Sequence, residues 1–171
     1  WSPGNAGLIL HTILGSPEDD QKIWVGISAV GVFGSDDGGV TWQPRNHGTR
    51  NDYVEDPYPE FGQCVHSIVR ADVPGDLLYQ QNHCGTYRSE DGGQVWNSIE
   101  DGLPSTFGFP IAVHPNDPET IWVFPLNGDS KGRYPPGAIA RVWRSRDGGT
   151  NWEPLGQGLP QSSCFFTVLR Q

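Results

Sequence analysis

The sequence predicts an all-β fold of repeated four-stranded units, the pattern of β-propeller blades, on three observations. The octapeptide SDDGGVTW at 35–42 returns as SEDGGQVW at 89–96 and SRDGGTNW at 145–152, 54 and 56 residues apart. Each copy follows three short β-prone segments separated by turn residues and opens a fourth. Helical periodicity is absent: no window places apolar residues at i, i+3, i+4 and i+7 between caps. The 23 glycines, 15 prolines and 7 tryptophans in 171 residues agree, since Gly and Pro punctuate a chain and aromatics favour strands.

Aligned on the octapeptide, the units span approximately 8–62, 63–108 and 109–163, with the start of a fourth at 164–171, in one domain. An apolar strand comes first (Leu8–Leu14, Cys64–Arg70, Phe109–Val113) and leads into a Pro/Asp turn (Ser16–Asp20, Asp72–Asp76, His114–Pro118). The second strand reads KIWVGIS, LLYQQNH or TIWVFPL, and the third GVFGS, GTYRS or RVWRS. In the octapeptide the two glycines allow the positive φ of a tight hairpin turn. Ser35, Asp37, Ser89, Asp91, Ser145 and Asp147 offer oxygens to backbone N–H groups of that turn. Trp42, Trp96 and Trp152 begin the fourth strand and bury their rings between neighbouring units. A calcium loop needs more oxygen ligands than these turns carry, so the octapeptides read as structural. CFFTVLR at 164–170 reads as the inner strand of a fourth unit. Three blades cannot close a ring, and open edges expose unpaired backbone. The expectation is therefore flanking blades, or a homodimer in which two half-rings close one propeller.

Bulk properties remove several function classes. The net charge is −9 and the eleven basic residues are scattered, so no footprint for nucleic acid or an anionic membrane is present. No run of about 18 apolar residues predicts membrane insertion, and no signal-like n-region and h-region occurs. The compartment is not fixed by the sequence. Three cysteines do not make a disulfide framework. Neither G-x-S-x-G nor a phosphate-cradling glycine loop occurs.

The three octapeptides resemble Asp-box (BNR) repeats of sialidase-type and other β-propellers. The stretches GQCVHSIVRADVPGDLLYQQNHCGTYRSEDGG and FGFPIAVHPNDPETIWVFPL resemble the central part of bacterial BNR-repeat proteins labelled glycosyl hydrolase or exo-sialidase-like. That resemblance implies about three blades of a six- or seven-bladed ring. It also implies that the octapeptide turn shares a face with the turn between strands one and two. The irregular segments Pro44–Gln63, Ser98–Gly108 and Phe124–Ala140 then lie on the opposite, loop-rich face, where binding and catalysis concentrate.

Candidate site residues cluster there. The hairpin of the second unit turns near Val73–Pro74, which sets Cys64 opposite His83 or Cys84, with His66 on the same side as Cys64. His11 holds the position of His66 in the first unit, and Phe109 holds it in the third. Three readings remain open for this group. Cys64, His66 and His83 could ligate a transition metal, Zn²⁺ or copper, although no other cofactor is implied. Cys64 and Cys84 could form a disulfide across the hairpin. Or buried thiols and hydrogen-bonded histidines simply line a channel. Asp52, Tyr53, Glu55 and Glu60, in the loop RNDYVEDPYPEFGQ, are the candidate catalytic groups of a glycosidase, which needs paired carboxylates or a Tyr nucleophile with a carboxylate partner. A sialidase also needs clustered arginines. No RIP-like motif occurs, and Arg45, Arg50 and Arg133 are the arginines in loops on that face. The leading expectation is a recognition module for a carbohydrate or protein partner, binding through His11, His66, Gln81, Asn82, His83, Tyr58 and Arg133. A glycoside hydrolase is the alternative, and a metal-bearing propeller the third.

Overall fold

The computed structural model describes residues 7–165, and they form three four-stranded antiparallel sheets. The first contains β1 (Leu10–Gly15), β2 (Ile23–Ile27), β3 (Gly31–Ser35) and β4 (Gln43–Pro44). The second contains β5 (Val65–Arg70), β6 (Leu78–Asn82), β7 (Gly85–Ser89) and β8 (Asn97–Ser98). The third contains β9 (Gly108–His114), β10 (Asp117–Pro125), β11 (Val142–Ser145) and β12 (Glu153–Leu155). Each sheet is a simple meander in chain order, and among the described residues the only helical pieces are two short 3₁₀ turns in the β10–β11 loop. These are propeller blades. The segment 164–170, expected to begin a fourth blade, lies mostly outside the described residues.

The octapeptide turn has the same internal bonding three times over. Ser35 Oγ accepts from Gly39 N at 2.8 Å and donates to Asp37, whose carboxylate accepts from Thr41 N at 2.8 Å. Ser89 and Asp91 repeat this with Gly93 and Val95, and Ser145 and Asp147 with Gly149 and Asn151. The carboxylates are spent on their own turns, and hydrogen bonds from Thr41 hold Asp37 down at about 2. The first glycine of each pair donates its N–H to the end where strands one and two are joined: Gly38 to Gln21 and Gly92 to Asp76 in the turn, and Gly148 to Glu119 near the start of β10. Both turns therefore share one face of the molecule.

Packing between blades runs through the octapeptide tryptophans. Trp96 is 2% exposed, and its Nε1 donates to Arg45 O of the preceding blade at 2.9 Å. Its backbone N–H also leaves its own sheet, donating to His47 O. β8 starts one residue after the tryptophan rather than at it, and β4 and β12 are offset in the same way. Trp152 repeats the side-chain bond to Ile99 O at 2.8 Å. Trp42 has no preceding blade among the described residues. It is 37% exposed and bonds only to its own turn, at Gly39 O. One apolar cluster (Trp24, Val32, Val65, Ile68, Leu78, Tyr87, Trp96) fills the space between the first two blades, and a second around Tyr79, Ile111, Ile121 and Val123 joins the second to the third. Both faces of the middle sheet are thus buried.

Candidate functional site

The start of each inner strand and the end of each second strand meet at the face opposite the octapeptides. Three equivalent backbone bonds align the blades there. Ser28 N donates to Ile9 O at 2.9 Å, His83 N to Cys64 O at 2.9 Å, and Leu126 N to Phe107 O at 2.8 Å. Just inside each bond the ladder slips, between Leu10 and Thr12, between Val65 and Ser67, and between Val123 and Pro125. These are β-bulges, which re-aim a side chain at the rim of a sheet. The residues set there are His11, His66 and Phe109. Every blade thus presents a set of three side chains: Ile9, His11 and Ser28; then Cys64, His66 and His83; then Phe107, Phe109 and Leu126.

The middle set forms the core of the cluster. The ring of His66 stacks on Phe109 with centroids 4.6 Å apart, and it lies 5.3 Å from His83 and 6.1 Å from His11. His66 is buried, and its Nδ1 lies 2.6 Å from Gly108 O. A carbonyl only accepts, so Nδ1 carries the proton. The Nε2 lone pair then faces Cys64 Sγ, 3.6 Å away. Burial drives the His66 pKa down to about 4, against the pull of the Gly108 carbonyl, and nearby His83, His11 and Arg133 lower it further. The ring is therefore neutral at pH 7. Burial also lowers His11, whose Nε2 meets Ser28 Oγ at 2.6 Å.

The loops bring further groups to this end. Tyr53, 69% exposed, sets its ring edge 5.1 Å from His83. Phe107 packs on His83 at 4.6 Å. The Arg133 guanidinium lies over Phe107 and Phe109, at 5.7 and 6.0 Å from their centroids. His11, His66, His83, Tyr53 and Arg133 are thus brought together, as the sequence predicts for the loop-rich face. Phe107 belongs to the same group but was not singled out in the sequence, although its equivalence to Cys64 could have been read from the alignment of the second strands.

Other expected residues are placed elsewhere. Gln81 is buried, its Nε2 near the carbonyls of Asn82, Gly85 and Thr106 and its Oε1 accepting from Thr86, so it ties the blade together rather than facing a ligand. Asn82 is buried as well, accepting from Cys84 N at 2.7 Å. The disulfide option is overturned, because Cys64 and Cys84 are both free. The buried Cys84 sulfur instead meets Asp52 N at 3.5 Å, and burial pushes its thiol pKa up. Asp52 is paired with Arg50 at 2.9 Å. Glu55, Tyr58 and Glu60 are exposed on the same loop. A hollow of about 140 Å³ is lined by Pro104, Pro125, Pro136, Ile139, Arg141 and Trp143, none a carboxylate. It is well below the ~300 Å³ at which small-molecule sites begin.

No family model and no curated protein matches the chain. Solved structures do. An ancestral GH74 enzyme superposes with a TM-score of 0.66 at 16% identity, over 90% of this chain and 19% of its own. YCF48 from Cyanidioschyzon merolae gives 0.54 at 20%, over 86% and 37%, and YCF48 bound to D1 peptide gives 0.52 at 22%, over 91% and 46%. These likenesses establish the β-propeller fold. The chain spans less than half the length of each of these structures.

Proposed function

We propose that this chain is the recognition segment of an Asp-box (BNR) type propeller, and that its loop-rich end captures an extended segment of a protein partner. The observation that carries this reading is the ring cluster of Tyr53, His66, His83, Phe107 and Phe109 beneath Arg133, which reaches the surface at Tyr53. An exposed ring backed by half-buried rings and a guanidinium suits planar or apolar side chains and acidic groups. A propeller of this architecture has been solved with a peptide bound, which supports the same use here. A carbohydrate would engage the same rings by stacking. The exposed apolar side chains of the first blade (Leu8, Ile9, Leu10, Ile13, Trp42) support a further blade beside it, supplied by a longer chain or by a homodimer.

The test is to screen the full chain on peptide and glycan arrays, then to measure the best binder by calorimetry. Tyr53→Ala and Arg133→Ala should each weaken it at least tenfold, while Glu90→Gln, on the opposite face, leaves it unchanged. Binding indifferent to both changes overturns the reading. The likeness to GH74 enzymes favours a second reading, glycoside hydrolysis through Asp52, Glu55, Glu60 and Tyr53. Release of reducing ends from soluble glucans, abolished by Glu55→Gln or Glu60→Gln, would establish it in place of the first.

A further inference from the structure

We propose that Cys64, His66 and His83 form a binding site for one Zn²⁺ ion, with a fourth coordination position open to water. Their ligand atoms all lie within 4.8 Å of one another, on the buried His66 and its two half-buried neighbours. Tetrahedral zinc, with Zn–S about 2.3 Å and Zn–N about 2.05 Å, separates a sulfur from a nitrogen by about 3.6 Å. Cys64 Sγ and His66 Nε2 already stand at 3.6 Å. Closing the rest needs a ligand shift of about 1 Å, within reach of a side-chain rotation at half-buried Cys64 or His83.

The outer contacts agree with that role. A metal-bound imidazole usually donates its other ring N–H to a carbonyl or carboxylate, which fixes the tautomer and aims the lone pair. His66 does this with Gly108 O at 2.6 Å. One thiolate with two imidazoles selects zinc or copper over magnesium and calcium. On binding, the Cys64 thiol loses its proton to solvent. The resulting thiolate offsets half the charge of the cation, which matters beside Arg133.

The flanking blades show that the fold does not demand these residues. The same backbone positions carry Phe107, Phe109 and Leu126 in the third blade, with the same bulge and the same backbone bond. An imidazole pair and a thiol therefore occupy the middle blade for a reason other than the ladder. The ion shares His66 and His83 with the ring cluster proposed for partner capture, but metal titration reads it alone: peptide binding can fail while the ion is still held.

The test uses the full chain, stripped with chelator and titrated with Co²⁺ as a spectroscopic stand-in, then with Zn²⁺ in competition. The expected result is one ion per chain, a thiolate-to-cobalt charge-transfer band, and displacement by Zn²⁺ at micromolar or lower concentration. Cys64→Ser should abolish the band. His66→Phe and His83→Leu, which copy the third blade and so keep a foldable scaffold, should weaken Zn²⁺ binding on the order of 100-fold. Cys84→Ser, outside the group of three, should change nothing. A wild-type chain that shows no such band overturns the proposal whatever the variants do. So does a band that survives Cys64→Ser, or one that disappears with Cys84→Ser.

Discussion

Replacing Trp96 by alanine tests how the blades are held together. Its ring is 2% exposed between the first two blades, and its N–H donates to Arg45 O at 2.9 Å. Truncating a buried tryptophan costs about 3–5 kcal/mol in lost transfer energy and cavity, and stranding the Arg45 carbonyl adds about 1 kcal/mol. Trp42 stands at the same place in its octapeptide, but it is 37% exposed and bonded only within its own turn. Trp42→Ala should therefore cost about 1 kcal/mol. Urea unfolding at pH 7, monitored by far-UV circular dichroism, reads both variants against wild type. Trp96→Ala should lower the midpoint several times further than Trp42→Ala. Trp96→Phe, which keeps most of the ring and loses the hydrogen bond, should fall between them. Equal losses at positions 42 and 96 would refute the account, because they would show that the octapeptide turn, and not the seam between blades, holds each tryptophan's energy.

Acid should weaken the fold through His66. Its pKa near 4 when folded lies below the 6.5 of an exposed imidazole, so the unfolded chain takes up a proton that the folded chain refuses. The contribution is complete above pH 6.5 and is lost as pH falls toward 4, by about 3 kcal/mol at about 1.4 kcal/mol per pH unit. Urea midpoints measured with chelator between pH 7 and 4 should fall more steeply for wild type than for His66→Phe, and parallel slopes would contradict this. Glycine substitutions separate backbone strain from crowding. At Gly149 (φ 98°) an added Cβ would sit 2.5 Å from the Ile99 Cβ, whereas at Gly158 (φ 84°) it meets nothing within 4 Å. Gly158→Ala should cost about 1–2 kcal/mol for the left-handed backbone, and Gly149→Ala a further ~1–3 kcal/mol for the clash. Thermal unfolding of the two variants compares them directly.

The fold was legible because turn chemistry is local. Paired glycines at positive φ, with Ser and Asp two apart, specify one hairpin wherever they occur, and three copies set the blade register. The fourth strands were misplaced by one residue: β4, β8 and β12 begin just after Trp42, Trp96 and Trp152, and the Trp96 N–H bonds across to His47 O. The meeting of Cys64, His66 and His83 was also legible, from the hairpin turn near Val73–Pro74. Its register changes at the bulge beside His66, which alternation alone cannot announce. Gln81 and Asn82, also expected to bind, are buried. A blade packed on both faces buries either side of the strand, so alternation there separates one seam from the other and not the inside from the outside. Carboxylate content likewise said nothing about placement: Asp52 is paired with Arg50, and Glu55 and Glu60 point into solvent.

The bulge that recurs at His11, His66 and Phe109 separates two tasks that usually compete for the same residues. Within each blade the hydrogen-bonded ladder and the glycine turn settle whether the chain folds. The three side chains displayed at the rim are interchangeable fittings on that frame, apolar in one blade and rich in donor atoms in the next. Chemistry can accordingly be written into one blade and erased from its neighbour without renegotiating the strands beneath, and a ring assembled from such blades could carry a different fitting at every station.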